Sequence, residues 1–304
     1  MTRASVVAVL LTAVACSRPP NETPSAATTK SDSSWLALNV DSLPHDSLGV
    51  SVRRGRALFT ATHDSLPMYA PSALRCTSCH LNAGRQLGAV PLYGSYGRYP
   101  QFNTRAGGVV SIEDRVNFCF TRSLAGWRLP DNSSEMRDIV AYVAFLSRGI
   151  PAGSDPATTL IKPLLAARGD SARGVALFAA NCARCHGADA AGSPLAPPLW
   201  GQRSFSIAAS MAREERAAAF IRRNMPLDKP GAMSDQDAYD VAAYITSLPR
   251  TDLPGKELDY PAGKAPPDVP YRTTGHVPSR LVAVYPRERP ADALVPLSSS
   301  ARKH

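Results

Sequence analysis

Three patterns are missing or scarce in this 304-residue sequence, and each one narrows the class of protein. No run of Lys and Arg is interleaved with aromatic residues, which argues against a nucleic-acid-binding protein. The apolar stretch near the N-terminus holds about eleven apolar or small residues, too few to cross a bilayer as a helix. Cysteine occurs only six times, so the place of each one along the chain is informative.

The overall composition is that of a folded protein with long irregular segments. A hydrophobic content of 44% is enough to build cores, and the length accommodates about two domains of ordinary size. The 27 prolines predict stretches that are neither helix nor strand. A formal charge of +9, to which arginine contributes far more than lysine, indicates anionic partners such as acidic proteins, lipid head groups or small anions.

The first 16 residues, "MTRASVVAVLLTAVAC", have the pattern of a signal peptide, because Arg3 precedes an apolar run that ends in small residues. The sequence therefore predicts export to the periplasm. Because Cys16 directly follows the small residues, it also predicts a lipoprotein tethered to the membrane through Cys16, although Ala13 stands where leucine is usually preferred. The alternative is a secreted protein without lipid that is cleaved nearby. Residues 17–48 begin with a Pro-, Ser- and Thr-rich run typical of a flexible tether.

The chain contains two copies of one pattern, which decides the fold prediction. Residues 54–59 read "RGRALF" and residues 173–178 read "RGVALF"; "CTSCH" follows the first at 76–80 and "CARCH" follows the second at 182–186. Each half then ends in a segment with helical periodicity. The repeat predicts a mainly α protein with two tandem domains and an irregular tail that wraps over them. The predicted parts are domain 1 at 49–150, a linker at 151–169, domain 2 at 170–250 and a Pro-rich tail at 251–304.

The Cys-x-x-Cys-His motif attaches c-type haem. Its two cysteines form thioether bonds to the porphyrin, and the adjacent histidine reaches the iron from one side. A Cys-x-x-Cys pair can also bind zinc or take part in thiol exchange, but two copies inside a repeated helical frame, each followed by histidine, favour haem. The sequence thus predicts two cytochrome c-like domains, each built around a covalently bound haem c. The predicted attachment sites are Cys76, Cys79, Cys182 and Cys185, with axial ligands His80 and His186.

Cys119 has no neighbouring cysteine with which it could form a disulfide, which is unusual in an oxidising compartment. The repeat offers an explanation. In the second copy Met225 lies 39 residues after His186, in the region that usually supplies the sixth iron ligand. In the first copy Cys119 lies 39 residues after His80. We therefore interpret Cys119 and Met225 as the second axial ligands of their haems.

Both ligand interpretations have alternatives. Cys119 could be a buried apolar residue between two phenylalanines. Met233, Asn224 or a distant histidine could take the place of Met225. With the ligands as interpreted, the thiolate lowers the reduction potential of the first haem and the thioether raises that of the second. Electrons that enter at the first haem would then run downhill to the second and out to an acceptor.

The segments "CTSCHLNAGR", "PLYGSYGRYPQFNTR" and "SIEDRVNFCFTRSLAG" resemble the catalytic domain of dihaem c-type thiosulfate dehydrogenases. The segments "CARCHG", "APPLWG" and "FIRRNMP" are similar to the electron-exit domain of that family, so the resemblance covers about residues 50 to 260. It implies an enzyme that oxidises two thiosulfates to one tetrathionate, in some members preferentially in reverse. It also implies a soluble cytochrome c or similar protein as electron acceptor.

The resemblance also implies site residues. In that family the isolated cysteine ligates the active-site haem, which implies the same role for Cys119. By position in the matching motifs, Arg105, Arg115 and Ser123 are implied to be catalytic residues beside it, and Asn82 is a weaker candidate. Some members carry a lysine just before the methionine of the second domain. This chain has Asn224 there, which argues against a lysine–methionine ligand exchange.

Arginine is concentrated in the same part of the first domain. Thiosulfate is a small dianion, and joining two of them brings four negative charges together, which repel strongly at reduced dielectric. Guanidinium groups suit sulfonate oxygens as they suit phosphate. The alternative is that several of these arginines neutralise haem propionates. The arginines between residues 81 and 128 are Arg85, Arg98, Arg105, Arg115, Arg122 and Arg128.

Two other functions compete with the enzyme. One is a non-catalytic dihaem cytochrome that only transfers electrons, which would have methionine or histidine at position 119 and no cluster of arginines. The other is the haem subunit of a multi-protein sulfur-oxidising complex, which would form no tetrathionate without its partner chain. In the tail, His276 is predicted to be a surface residue and not an iron ligand.

Overall fold

The computed structural model of the chain describes Met1 and residues 38–153, 164–165 and 168–287. The predicted signal peptide with Cys16, most of the tether, most of the linker and the end of the tail lie outside the described residues. None of the helices in the described part is long and apolar enough to span a membrane.

The described residues are mainly helical, with two short pairs of strands. Strands β1 and β2 form an antiparallel hairpin, and β3 and β4 pair in parallel. The helices are α1 (Ser47–Thr60), α2 (Thr62–Ser65), α3 (Leu81–Gly84), α4 (Ile112–Phe118), α5 (Ser134–Leu146), α6 (Ser171–Asn181), α7 (Ala183–His186), α8 (Glu214–Asn224) and α9 (Asp235–Ser247). The strands are β1 (Gln101–Asn103), β2 (Gly108–Val110), β3 (Arg250–Thr251) and β4 (Val284–Tyr285).

The repeated sequence pattern corresponds to a repeated helix crossing. Helix α1 packs on α5 in the first half as α6 packs on α9 in the second. A Cβ atom on Gly55 would lie 1.9 Å from the carbonyl oxygen of Asp138, and one on Gly174 would lie 2.0 Å from that of Asp240. Glycine is therefore required in both "RG" pairs, because the two backbones touch there.

Polar and aromatic contacts repeat at the same two crossings. The buried Asp138 and Asp240 carboxylates form ion pairs with the arginines before the glycines, at 3.2 Å and 3.0 Å. One turn further along, Phe59 stacks against Tyr142 at 5.6 Å between ring centroids. Phe178 stacks against Tyr244 at 5.4 Å in the same way. Each "RGxALF" copy thus supplies an equivalent set of contacts to its terminal helix.

The two halves share a hydrophobic core. Phe205, Ala209 and Ala212 of the second half pack in one buried cluster with Phe120 and Ile139 of the first. The tail and the second half form another buried cluster, in which Tyr260, Val269 and Tyr271 pack with residues 207, 208 and 253. Strand β4 at the end of the described tail pairs with β3. The tail between 251 and 287 is therefore packed onto both halves.

The glycine crossings lead to a stability prediction. Gly55→Ala and Gly174→Ala should each lower the free energy of unfolding by about 1–3 kcal/mol, because the added methyl group meets a backbone carbonyl that cannot move freely. Guanidinium denaturation of the haem-loaded protein measures this. Gly108→Ala is the control, since no heavy atom lies within 4 Å of its added Cβ. Alanine is the better helix former, so variants as stable as the wild type would contradict the close packing.

Candidate active site

Each half of the molecule contains a cavity that brings its predicted haem-binding residues together. The first cavity, of about 590 Å³, is lined by Cys76, Cys79, His80 and Cys119. The second, of about 1170 Å³, is lined by Cys182, Cys185, His186 and Met225. A c-type haem requires two thiols for attachment of the porphyrin, and a histidine and a sulfur side chain are suitable ligands for its iron. Apolar side chains complete both walls, among them Phe59, Leu92, Ile139 and Val143 in the first and Phe178, Ile221, Val241 and Ile245 in the second.

Both motif histidines are oriented by a backbone carbonyl. Nδ1 of His80 lies 2.6 Å from the carbonyl oxygen of Val90, and Nδ1 of His186 lies 2.9 Å from that of Pro197. An Nδ1–H that donates to a carbonyl fixes the tautomer and leaves Nε2 as the metal-binding atom. Val90 adopts φ 51°, a rare conformation for a β-branched residue, and its carbonyl orients the first histidine. These contacts orient both imidazole rings, with Nε2 as the atom that could bind a metal ion.

Cys119 is positioned by a short helix that changes character at this residue. The Ser111 hydroxyl accepts from the backbone N–H of Asp114, and the Asp114 carboxylate accepts from the N–H of Ser111, so α4 begins with a capping box. At Cys119 the α-helix passes into a single π turn that ends at Ser123. Such turns often occur at functional sites. The Cys119 side chain lies close enough to His80 for the two to interact.

The environment of Cys119 favours the thiolate. Arg115, one helical turn earlier, donates from Nη1 to the sulfur at 3.0 Å. Burial alone would raise the pKa of Cys119, but the charge of Arg115, the contact with His80 and the hydrogen bond from Arg115 lower it to about 6. Burial raises the pKa of Cys76 and of Cys79 to about 12. Since the thiolate is the form of cysteine that binds metals, Cys119 differs chemically from its neighbours.

The first cavity is strongly cationic. Among the described residues that line it, five are arginines and none is Asp or Glu. The second cavity combines three arginines with the carboxylate of Asp228. The first cavity is therefore the better place for small anions. Its arginines are Arg75, Arg98, Arg105, Arg115 and Arg216.

Three of the six arginines singled out in the sequence do not line this cavity. Arg122 forms a bidentate ion pair with Asp259, at 2.6 Å and 2.7 Å. Arg128 lies 3.1 Å and 3.2 Å from the carboxylates of Asp114 and Asp131. Arg85 interacts with the hydroxyl of Tyr142 and is also absent from the described lining residues. These guanidinium groups have structural partners, which sequence position alone does not reveal.

The cavity also contains residues that sequence reasoning missed. Arg75 directly precedes the first haem motif, Arg216 belongs to α8 of the second half, and Tyr260 belongs to the tail. Arg216 and Tyr260 reach the site only through the packing of distant segments, so no local signal could have identified them. Arg75 could have been identified by its position beside Cys76.

Ser123, Asn82 and His276 differ in their positions relative to the cavities. Ser123 lines the first cavity, whereas Asn82 adopts a left-handed conformation in α3 and is not among the described lining residues. His276 is half-buried, its Nε2 lies 2.8 Å from the carbonyl oxygen of Val269, and it lines neither of the two cavities.

Met225 lines the second cavity together with His186, whereas Met233, Asn224 and the other histidines of the described part of the chain do not. Met233 is buried in the hydrophobic cluster around Phe178. The Asn224 side chain is fully buried and donates to the carbonyl oxygens of Gly88 and Phe220, both at 2.9 Å. Asn224 therefore links the two halves of the molecule beside Met225.

The turn that begins the first Cys-x-x-Cys-His motif lines both cavities. In the turn Cys76–Ser78, Cys76 lines the first cavity, and Thr77 and Ser78 line the second. Arg75 lines both cavities. Groups bound in the two cavities would thus lie on opposite faces of one turn.

Comparison with known proteins defines first the class and then the family. Residues 67–152 match the family model of the SoxA/TsdA cytochrome c domain, and residues 171–249 match the cytochrome c family model. The chain is therefore a two-domain c-type cytochrome. It is 38% identical over 234 residues to the thiosulfate dehydrogenase of Psychrobacter arcticus, covering 75% of this chain and 72% of that protein. It is 39% identical over 219 residues to the thiosulfate dehydrogenase of Allochromatium vinosum, covering 68% and 81%.

A solved structure agrees with these relatives. The thiosulfate dehydrogenase TsdBA from Marichromatium purpuratum superimposes with a TM-score of 0.69 at 32% identity, covering 81% of this chain and 58% of that one. The chain belongs to the thiosulfate dehydrogenase family. This confirms the predicted mainly α fold with two tandem cytochrome c domains and the two covalently bound haems c.

The position of Asn224 leads to a prediction about the contact between the halves. Asn224→Ala should lower the free energy of unfolding by about 1–3 kcal/mol, because the carbonyl groups of Gly88 and Phe220 lose a buried donor. Chemical denaturation of the haem-loaded protein checks this. Asn132→Ala is the control, since Asn132 is exposed. Equal stability of both variants would contradict a linking role.

Proposed function

We propose that the chain oxidises thiosulfate at the first cavity, joining two molecules into one tetrathionate and releasing two electrons. In this proposal the first haem is attached at Cys76 and Cys79 and ligated by His80 and Cys119. The second haem is attached at Cys182 and Cys185 and ligated by His186 and Met225. The observation that carries the proposal is the hydrogen bond from Arg115 to the Cys119 sulfur inside a cavity lined by arginines. Relatives named thiosulfate dehydrogenase support the choice of substrate.

The charge of the first cavity fits the substrate. Two thiosulfate dianions must approach each other closely, and at reduced dielectric their repulsion would prevent it without compensating cations. We assign Arg105 and Arg115 to the sulfonate groups, because both line the cavity and guanidinium groups donate strong, charge-assisted hydrogen bonds to oxyanions. Ser123 can add a neutral donor. The outer sulfur atoms are then held on the Cys119 side of the cavity.

The overall reaction releases electrons but no protons. Two thiosulfates give one tetrathionate and two electrons, so the site needs no general acid or base. This agrees with a cavity whose described lining includes arginines but no Asp or Glu. When bound, the two haems would accept these electrons and pass them to an external acceptor, for which a soluble cytochrome c is the expected partner. A site that served only to carry electrons would not need five arginines around one cavity.

The two sulfur ligands give the electron path a direction. Thiolate ligation by Cys119 would lower the potential of its haem, and thioether ligation by Met225 would raise that of the other. The turn Cys76–Ser78, which lines both cavities, would keep the distance between the haems short. The second domain is therefore proposed as the exit for electrons. Export to the periplasm, with Cys16 as a lipid anchor, remains a prediction from the N-terminal residues.

The proposed activity is tested by steady-state assay of the haem-loaded protein with thiosulfate and ferricyanide. We expect one tetrathionate for every two thiosulfates and every two ferricyanides consumed. Protein that carries both haems but does not turn over would contradict the proposal. Tetrathionate formation that required a second protein chain would favour a subunit of a sulfur-oxidising complex instead.

Replacement of Cys119 tests whether its sulfur ligates the first haem. Cys119→Met should raise the reduction potential of the first haem and abolish thiosulfate oxidation, because a thioether donates less electron density to iron than a thiolate. Potentiometric titration and the ferricyanide assay measure the two effects. The variant should still contain two haems per chain, which excludes a failure of haem attachment. Surviving activity would show that the proposed mechanism is wrong.

A matched pair of methionine variants tests which methionine ligates the second haem. Met225→Leu should lower the potential of the second haem and remove the spectral signature of a methionine-ligated iron, since it deletes the proposed ligand. Met233→Leu should change neither, because Met233 packs in the core and not in the cavity. Redox titration and absorption spectroscopy of both variants decide the matter. The reverse result would assign ligation to Met233.

A further inference from the structure

We propose that Tyr260, in the tail, is a positioning residue that sets the Arg105 guanidinium for substrate binding in the first cavity. Both residues line that cavity, although 155 positions separate them in the sequence. The inference rests on the proposed function, since it assigns to the tail a part in binding the thiosulfate oxyanion. It explains why a long irregular segment is packed against a catalytic domain that already contains its own haem site.

Tyr260 contacts Arg105 through both its backbone and its side chain. The Arg105 Nε donates to the Tyr260 hydroxyl at 2.9 Å, and the Tyr260 backbone N–H donates to the Arg105 carbonyl oxygen at 2.8 Å. Arg105 Nη1 donates to the carbonyl oxygen of Ala208, also at 2.9 Å. With Nε and one hydrogen of Nη1 engaged in these bonds, Nη2 and the second hydrogen of Nη1 remain to donate to a ligand in the cavity. The second half and the tail thus orient an arginine of the first domain.

The backbone of Tyr260 is strained, and its neighbours hold it in place. Tyr260 is only 6% exposed and has φ 57°, a left-handed conformation that is rare for a bulky residue. Residues in such conformations persist where the surrounding structure determines them and cluster at functional sites. Here Asp259 accepts two hydrogen bonds from Arg122 and one from the Tyr271 hydroxyl at 2.7 Å. The segment is therefore anchored directly beside Tyr260.

A tyrosine hydroxyl is chemically suited to this role. It accepts a hydrogen bond from the guanidinium without cancelling its charge, so Arg105 keeps its full attraction for an oxyanion. The neighbouring Arg122 shows the contrast, because its bidentate pair with Asp259 neutralises it, and it does not line the cavity. Two arginines of the first domain thus have different partners in the tail. Asp259 neutralises Arg122, and Tyr260 orients Arg105 without neutralising it.

The test compares two tyrosine-to-phenylalanine variants of the haem-loaded protein. Tyr260→Phe should raise the KM for thiosulfate about tenfold with kcat nearly unchanged, because it removes a hydrogen bond to a charged group that acts in binding. The Kd of tetrathionate should rise by about the same factor in calorimetric titration of the fully oxidised protein, which has no electrons to reduce this ligand. Tyr285→Phe should change neither value, since Tyr285 belongs to β4 of the tail and lines neither of the two cavities.

A double-mutant cycle separates positioning from general damage. In an Arg105→Lys background, Tyr260→Phe should have little further effect on the Kd of tetrathionate, since the oriented guanidinium is already absent. Wild-type Kd and KM in Tyr260→Phe would overturn the inference, as would equal weakening by Tyr285→Phe or independent, additive effects in the cycle. Those results leave the proposed function standing, provided that the wild type oxidises thiosulfate. A wild type that fails to do so would overturn the proposed function, and the inference with it.

Discussion

The hydrogen bond from Arg115 to the sulfur of Cys119 is the interaction on which the rest of the site depends. A buried thiol normally keeps its proton, but the charge of the guanidinium one helical turn away, together with the contact to His80, lowers the pKa of Cys119 to about 6 against the effect of burial. Cys119 also lies close enough to His80 to interact with it, and both residues line the first cavity. Without the contact to Arg115 the first cavity would keep its other arginines, but burial would favour the protonated thiol at Cys119.

The structure shows how one repeated frame can support two different sites. Both halves use the same glycine crossing, the same buried aspartate and the same aromatic pair, so the helices around each cavity are arranged alike. Differences lie between the motif and the terminal helix, where Cys119 and Arg115 line the first cavity and Met225 and Asp228 line the second. This part of each half gives its cavity a different sulfur side chain and a different charge.

Much of the fold and part of the site could be predicted from sequence because the signals are local. The haem motifs, the repeated "RGxALF" segments and the shared 39-residue spacing that picks out Cys119 and Met225 are all readable along the chain. The partner of Arg122 could not be predicted, because Asp259 lies 137 positions away. Tyr260 and Arg216 were missed for the same reason, since tertiary packing alone brings the tail and α8 to the first cavity.

The central claim is that the sulfur of Cys119 is bonded to the iron of the first haem, opposite His80. A crystal structure of the oxidised, haem-loaded protein tests it most directly. The account predicts Sγ of Cys119 in the sixth coordination position, with the Arg115 guanidinium beside it. A different atom in that position, with the thiol directed elsewhere, would contradict it.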